Sequence, residues 1–351
     1  MVRFCYVNKF SISKLKFTFQ ILSLLKINCM KEKFITFETF AGYGGAHFAL
    51  KKFKIPHTVI GFSEFDKYAV EIYEHNHKGV KGYGDITKID PNKLPDFNLF
   101  TGGFPCQPFS TAGSGLGEQD IRGTLFHDII RICEVKQPDN ILLENVKGLT
   151  TKRHKGTLET IRKELRRIGY ENIHIQLINT KNYGIPQNRE RVWIYATKKD
   201  LPLGFSLVPE KEPLTKHFED YLDQKTNEEL YLNKKQIDRL IEIHKVDFDV
   251  DRPYCFDVYN KKIKKEGICM TLTEPHHNAT RVVEPKNGHY RVRKLSTTEH
   301  FRLMGFSDGE IDFGNLSYSQ ICKRAGNGWD INIAGIILNK IYSFYYSSLS
   351  K

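Results

Sequence analysis

Residues 33–53 read KFITFETFAGYGGAHFALKKF. The apolar run that starts at Phe34 predicts a strand, the glycines at 42, 44 and 45 a tight turn, and the residues after them a helix. Such a turn lets backbone approach a ligand closely at a helix N-terminus. Working outward, HTVIGFSE predicts a second strand ending at Glu64, and DKYAVEIYEHNH a helix. A short third strand is expected to lead to Asp85, and FNLFTGG makes a fourth. TLFHDIIRICEVK reads as a helix, NILLENV as a buried strand, and GTLETIRKELRRIGY as a helix. NIHIQLINT and ERVWIYAT close the series as strands. Strands alternating with helices of this length predict an α/β domain of Rossmann-like architecture with a mostly parallel sheet. Residues 198–290 break the rhythm, being polar, lysine-rich and irregular. Order returns at STTEHFRLMGF and in a last helix, INIAGIILNKIYSFYY.

The chain has 351 residues, enough for one large domain and a smaller one, and its net charge of +12 favours a polyanionic partner, nucleic acid first. An anionic membrane surface would also suit that charge. Seven cysteines are scattered at 5, 29, 106, 133, 255, 269 and 322 with no Cys-x-x-Cys pair. That spacing argues against a disulfide framework or a structural metal site and for a reducing cytoplasm. Residues 1–30 carry five basic side chains and no acidic one. Their apolar run is short and interrupted by Gln20 and Ser23, so they read as a dispensable extension and not as a membrane anchor.

In open α/β sheets ligands bind beyond the carboxyl ends of the strands, and the chemically loaded residues of this sequence sit there. The glycine turn alone is ordinary turn chemistry. A dinucleotide fingerprint would want a third glycine where His47 stands. With Glu64 and Asp85 at the next two strand ends, the set suits an adenosine-bearing ligand. In TGGFPCQPFS, residues 101–110, prolines at 105 and 108 stiffen the chain around Cys106 and oppose a continuing strand. A thiol presented on such a loop is suited to covalent attack on an electron-poor carbon. Glu144 follows three apolar residues and emerges where a buried strand reaches the cleft. It reads as a capping or salt-bridged carboxylate, or as a general acid kept protonated by desolvation. Arg189 and Arg191, two apart, share a strand face. They are either solvated charges or holders of a phosphate or ring carbonyl.

Taken together the motifs resemble those of the DNA cytosine-5 methyltransferases, in family order and from about Phe34 to the last helix. They are Phe-Ala-Gly-x-Gly-Gly at 40–45, Pro-Cys-Gln at 105–107, Glu-Asn-Val at 144–146 and Gln-x-Arg-x-Arg at 187–191. RKLSTTEHFRLMGF at 293–306 and Gly-Asn-Gly at 326–328 complete the set. Two departures stand out. Thr39 occupies a position that is commonly aliphatic, and Gly328 one that is usually serine.

The resemblance implies S-adenosylmethionine held by Phe40, Gly42, Gly44, Gly45, Glu64, Asp85, Ile86, Pro105 and Asn327. It implies double-stranded DNA as partner, with the target cytosine flipped out of the helix. Cys106 would then add to carbon 6 of that base, Glu144 would hold its ring nitrogen 3, and Arg189 and Arg191 would complete the catalytic set. Residues 31–197 and 317–351 would form the catalytic domain, and 198–316 a target-recognition domain. Gln107, Ser110, Arg122, Thr271, Thr273 and Arg281 would contact DNA. The resemblance further implies a cytoplasmic monomer working beside a restriction endonuclease, with no metal and no membrane. An RNA methyltransferase of the same family would usually show Cys-Phe-Thr soon after the glutamate motif, where KGLTTKRHKG stands. A DNA-binding protein on a decayed scaffold is opposed by the intact Cys106, Glu144 and Arg191. An amino-group methyltransferase would need a Pro-Pro motif, and no two prolines adjoin.

Overall fold

The computed structural model describes residues 32–105, 125–151, 155–248, 251–274 and 280–347. Its centre is a six-stranded sheet. In chain order the first elements are β1 (Phe34–Thr39), α1 (Gly45–Lys52), β2 (His57–Ser63), α2 (Lys67–Asn76) and β3 (Leu99–Gly103). There follow α3 (Leu125–Lys136), β4 (Asn140–Val146), α4 (Lys155–Arg167), β5 (Asn172–Asn179), β6 (Gln187–Asn188) and β7 (Glu190–Thr197). The sheet order is β2-β1-β3-β4-β7-β5, with β6 outside it.

Strand residues alternate between two apolar layers, as the period of two requires. Leu99, Leu142, Trp193 and Tyr195 face one core, which also receives Ala49 and Leu50 of α1. Phe100, Ile141, Leu143, Val192 and Ile194 face the other, covered by Ile129 and Ile130 of α3 and by Ile161 and Leu165 of α4. Helices therefore lie on both faces of the sheet.

Strands β1, β2, β3 and β4 are parallel, so their carboxyl ends share one edge. Strand β7 is antiparallel to β4 and brings its amino end to that edge, pairing Val146 with Arg191. The expected strand before Asp85 is reduced to a single bridge between Phe62 and Gly82. HKGVKGYGD supplies too few apolar residues to hold an edge strand, and Asp85 instead caps a 3₁₀ turn at Ile86–Lys88.

Residues 198–290 are more regular than their composition predicts. Helix α5 (Lys234–His244) and strands β8 (Tyr254–Asp257), β9 (Lys262–Lys264), β10 (Cys269–Met270), β11 (Thr280–Lys286) and β12 (His289–Arg293) lie in or run out of this segment. Four of the strands form an antiparallel sheet in the order β12-β11-β8-β9. Phe248, Tyr254, Phe256, Val283 and Val292 make its core, with Ile237, Leu240 and Ile241 packed on it. The strands are short, and their solvent face is rich in lysine and arginine, which hides the alternation. Strand β10 pairs in parallel with β6 and joins this lobe to the segment that leads into β7.

Beyond the lobe come α6 (Thr297–Arg302), α7 (Tyr318–Asn327) and α8 (Ile331–Ser347). Phe301 and Phe306 stack edge-on or tilted against Tyr43, 5.4 and 5.5 Å away. That packing ties the segment to the glycine turn after β1. The lobe's base is an ion-paired cluster. Arg293, fully buried, donates two hydrogen bonds of 2.8 Å to Glu299 and one of 3.0 Å to Glu284. A buried pair is costly to desolvate but fixes geometry when every hydrogen-bonding site is used. Glu299 also accepts the backbone N–H groups of Asp223 and Ser296. Among the described residues no helix is long and apolar enough to cross a membrane.

Candidate active site

The glycine turn after β1 crosses the edge where the parallel strands end. Gly44 holds φ at +88°, and a Cβ there would lie 2.3 Å from Nε2 of His77. The rings of His47 and His77 stack 4.1 Å apart behind the turn. His47 thus has a packing partner where a dinucleotide motif would have its third glycine. Below the turn, buried Glu38 accepts the N–H of Ala46 at 2.9 Å and the hydroxyl of Tyr73 at 3.1 Å. Burial pushes its carboxyl up to about 7, against the pull of those hydrogen bonds.

Two cavities meet at Phe40. The larger, about 210 Å³, is lined by Phe40, Glu64, Phe65, Asp85 and Ile86 among others. The smaller is lined by Thr39, Gly42, Gly45, Asn327 and Trp329 among others. Glu64 holds this edge together. One carboxylate oxygen accepts the N–H of Gly42 at 3.0 Å, and the other accepts those of Phe65 and Asp66 at 2.9 and 3.0 Å. A carboxylate has about four lone-pair directions, so one remains for a ligand hydroxyl. Asp85 accepts from Thr87, which holds its carboxyl below the usual range. Carboxylates beside an aromatic-walled cavity suit a ribose and an adenine, so the residues present fit S-adenosylmethionine. Asn327 donates to Glu274 at 2.5 Å.

The second half of the site lies where β4 ends. Glu144 is buried, and Nε of Arg191 stands 2.9 Å from its Oε1. Burial raises the Glu144 carboxyl above its ordinary range, with Arg191 and Arg189 pulling the other way. The next residue, Asn145, donates to the carbonyl of Phe104 at 3.0 Å and so ties the chain leaving β3 to β4. Pro105 is exposed at that point. Cys106, Gln107, Ser110 and Arg122 lie outside the described residues.

Arg189 is held by backbone carbonyls. It falls between β6 and β7, fully buried, and donates to the carbonyls of Leu272, Gly326 and Gly328 at 3.0, 3.1 and 2.7 Å. Burial, then the charge of Arg191, pushes its guanidinium down to about 9. Its chemistry is to tie the small lobe to the 326–328 turn. The three described DNA candidates are likewise occupied or enclosed. The Thr271 hydroxyl donates to the Asn188 carbonyl at 2.6 Å, Thr273 is half-buried beside Gly326, and Arg281 donates to the Thr280 carbonyl at 2.9 Å.

Several contributors escaped the sequence reading. Phe65 walls the larger cavity while 76% exposed, and Trp329 walls the smaller one. An aromatic residue directly after the strand-end Glu64 was the available signal. The two departures from the family pattern also find partners. The Thr39 hydroxyl donates to the Thr101 carbonyl at 3.0 Å. At 328 a Cβ would lie 2.0 Å from the ring of Tyr43, whose hydroxyl donates to the Trp329 carbonyl. Tyr43 fills the space a serine side chain would need.

The sequence pattern described as C-5 cytosine-specific DNA methylase matches residues 34–343. The chain is 37% identical over 306 residues to the type II methyltransferase M.NgoBI of Neisseria gonorrhoeae, covering 85% of this chain and 90% of that protein. It is 36% identical over 323 residues to M.HaeII of Haemophilus aegyptius, covering 89% and 95%. Among solved structures, the Schizosaccharomyces pombe Dnmt2 methyltransferase superposes with a TM-score of 0.68 at 22% identity, covering 89% of this chain and 99% of that one. That likeness speaks to the fold.

Proposed function

The chain belongs to the C-5 cytosine-specific DNA methylase family, and on that footing we propose which of its residues carry the reaction. The activity is methylation of carbon 5 of cytosine in DNA, with S-adenosylmethionine supplying the methyl group. The observation that carries the assignment is the Glu144–Arg191 pair at the end of β4, tied through Asn145 to the segment that leads to Pro105.

In this reading Cys106 adds to carbon 6 of the flipped cytosine and turns carbon 5 into an enamine-like nucleophile. Glu144 holds ring nitrogen 3 and supplies a proton as negative charge builds there. Arg191 orients that carboxyl and stands by the ring carbonyl, while Arg189 positions the elements around it. The glycine turn, Phe40, Glu64, Phe65, Asp85, Ile86, Pro105 and Asn327 hold the cofactor. The lobe of α5 and β8–β12 reads the DNA sequence, with Thr271, Thr273 and Arg281 as its candidate contacts, and Gln107, Ser110 and Arg122, from the segment that follows Pro105, as further candidates. The enzyme acts as a cytoplasmic monomer whose modification protects DNA from a partner restriction endonuclease, a role supported by its likeness to type II methyltransferases.

Sequencing bisulfite-treated DNA from cells expressing the protein tests base and site together. Cytosines protected within one recurring sequence are expected, and uniform conversion would overturn the reading. Glu64→Ala tests the cofactor cleft. Losing a hydrogen bond to a charged acceptor costs roughly 1.5–3 kcal/mol, about one to two decades in affinity. Unchanged calorimetric affinity for S-adenosylmethionine would remove Glu64 from the cleft.

A further inference from the structure

Two walls of the cofactor cleft come from distant parts of the chain, and one part-buried ion pair joins them. Arg324 of α7 is 4% exposed, and its two terminal nitrogens lie 2.9 and 3.0 Å from the two oxygens of Asp66. This fork-to-fork geometry is the strongest form of the contact and fixes direction as well as distance. Asp66 sits two residues after Glu64, to whose carboxylate it donates its N–H at 3.0 Å. It also caps α2 by accepting from Tyr68 and Ala69. On the far side, the carbonyl of Arg324 accepts the N–H of Gly328 at 2.9 Å. One end of the pair therefore holds the wall carrying Glu64 and Phe65, and the other holds the wall carrying Asn327 and Trp329. Lys323 reaches Asp66 only at 3.8 Å and is half-exposed, a weaker second cation.

We propose that Arg324 is a positioning residue for S-adenosylmethionine, its pair with Asp66 setting the separation of the two cleft walls. The proposal rests on reading the cleft as the cofactor site. The pair touches neither cavity, so its effect reaches the ligand through the groups it places. A fully exposed ion pair would do little of this, but Arg324 is buried and loses its counter-charge when Asp66 is removed, whereas Asp66, a quarter exposed, keeps the N–H groups of Tyr68 and Ala69.

The test uses the full chain and S-adenosylmethionine without DNA. Arg324→Gln should weaken calorimetric binding roughly ten-fold. KM for the cofactor should rise in step, while kcat at saturating cofactor stays within about three-fold. Asp66→Asn keeps a capping side chain on α2 and should reproduce the loss, and the double variant should be no worse than Arg324→Gln alone. Arg324→Lys should recover part of the affinity. Lower thermal stability with unchanged affinity in both single variants would overturn the proposal and leave the pair a structural tie. If Glu64→Ala also left affinity unchanged, the cleft assignment itself would be at fault. If Glu64→Ala weakened binding and neither Arg324→Gln nor Asp66→Asn did, only the positioning role would fall.

Discussion

Glu144→Gln is expected to slow single-turnover methyl transfer by about 10²–10⁴-fold, the range that one positioned acid contributes. Glutamine keeps the shape of the side chain and still offers an oxygen to Nε of Arg191, now 2.9 Å from the carboxylate. It cannot deliver a proton to ring nitrogen 3. Burial already favours the protonated carboxyl, which is the form the step consumes. The substitution leaves Arg191 without its counter-charge, but that guanidinium also donates to the Glu190 carbonyl at 2.9 Å. A stability loss of about 1–3 kcal/mol is therefore expected, not unfolding. Thermal melting and DNA binding check that the fold survives. Single-turnover rates within a factor of two of the unsubstituted enzyme, at saturating DNA and cofactor, would be incompatible with acid catalysis by Glu144.

The strands of the large sheet were legible because each is an apolar run whose alternate residues enter two cores. The direction of β7 was not read, though a signal existed. Only ten residues separate Asn179 from Glu190, with a single 3₁₀ turn as the only helical piece among them, and a parallel return needs a longer crossover. That antiparallel strand is what carries Arg191 to the edge beside Glu144. The small lobe hid behind short strands, yet Asn287-Gly288, at φ +50° and +77°, is the hairpin turn between β11 and β12. The dipeptide was available from the sequence. Arg189 sits off the strand. A spacing of two places residues on one face only if the strand is continuous, and here it breaks at 189, between β6 and β7. The match of Tyr43 to Gly328 was beyond any local pattern, since the two are distant in sequence and meet only in the folded chain.

DNA carrying 5-fluorocytosine in the recognition site is expected to trap the enzyme through Cys106 as a complex that survives denaturing electrophoresis. Cys106 lies outside the described residues, and the case for it comes from its neighbours. Pro105 stands at the carboxyl edge of the sheet, the Phe104 carbonyl is held by Asn145, and Glu144 is one residue before that asparagine. A nucleophile and an acid supplied to the same base from adjoining strands imply attack at carbon 6 before methylation at carbon 5. In normal turnover the proton on carbon 5 then leaves, the ring regains its aromaticity and the cysteine sulfur departs. Fluorine at carbon 5 cannot leave as a cation, so the carbon–sulfur bond persists. Full trapping should require S-adenosylmethionine, because the block arises only after the methyl group has been delivered. Cys106→Ser should abolish it, since a hydroxyl is a far poorer nucleophile at neutral pH. Methylation of the exocyclic amino group would need no such adduct, and neither would a DNA-binding protein without activity. If active enzyme, cofactor and substituted DNA gave no denaturation-resistant complex, covalent attack by Cys106 would have to be abandoned, and Glu144 would need a different partner.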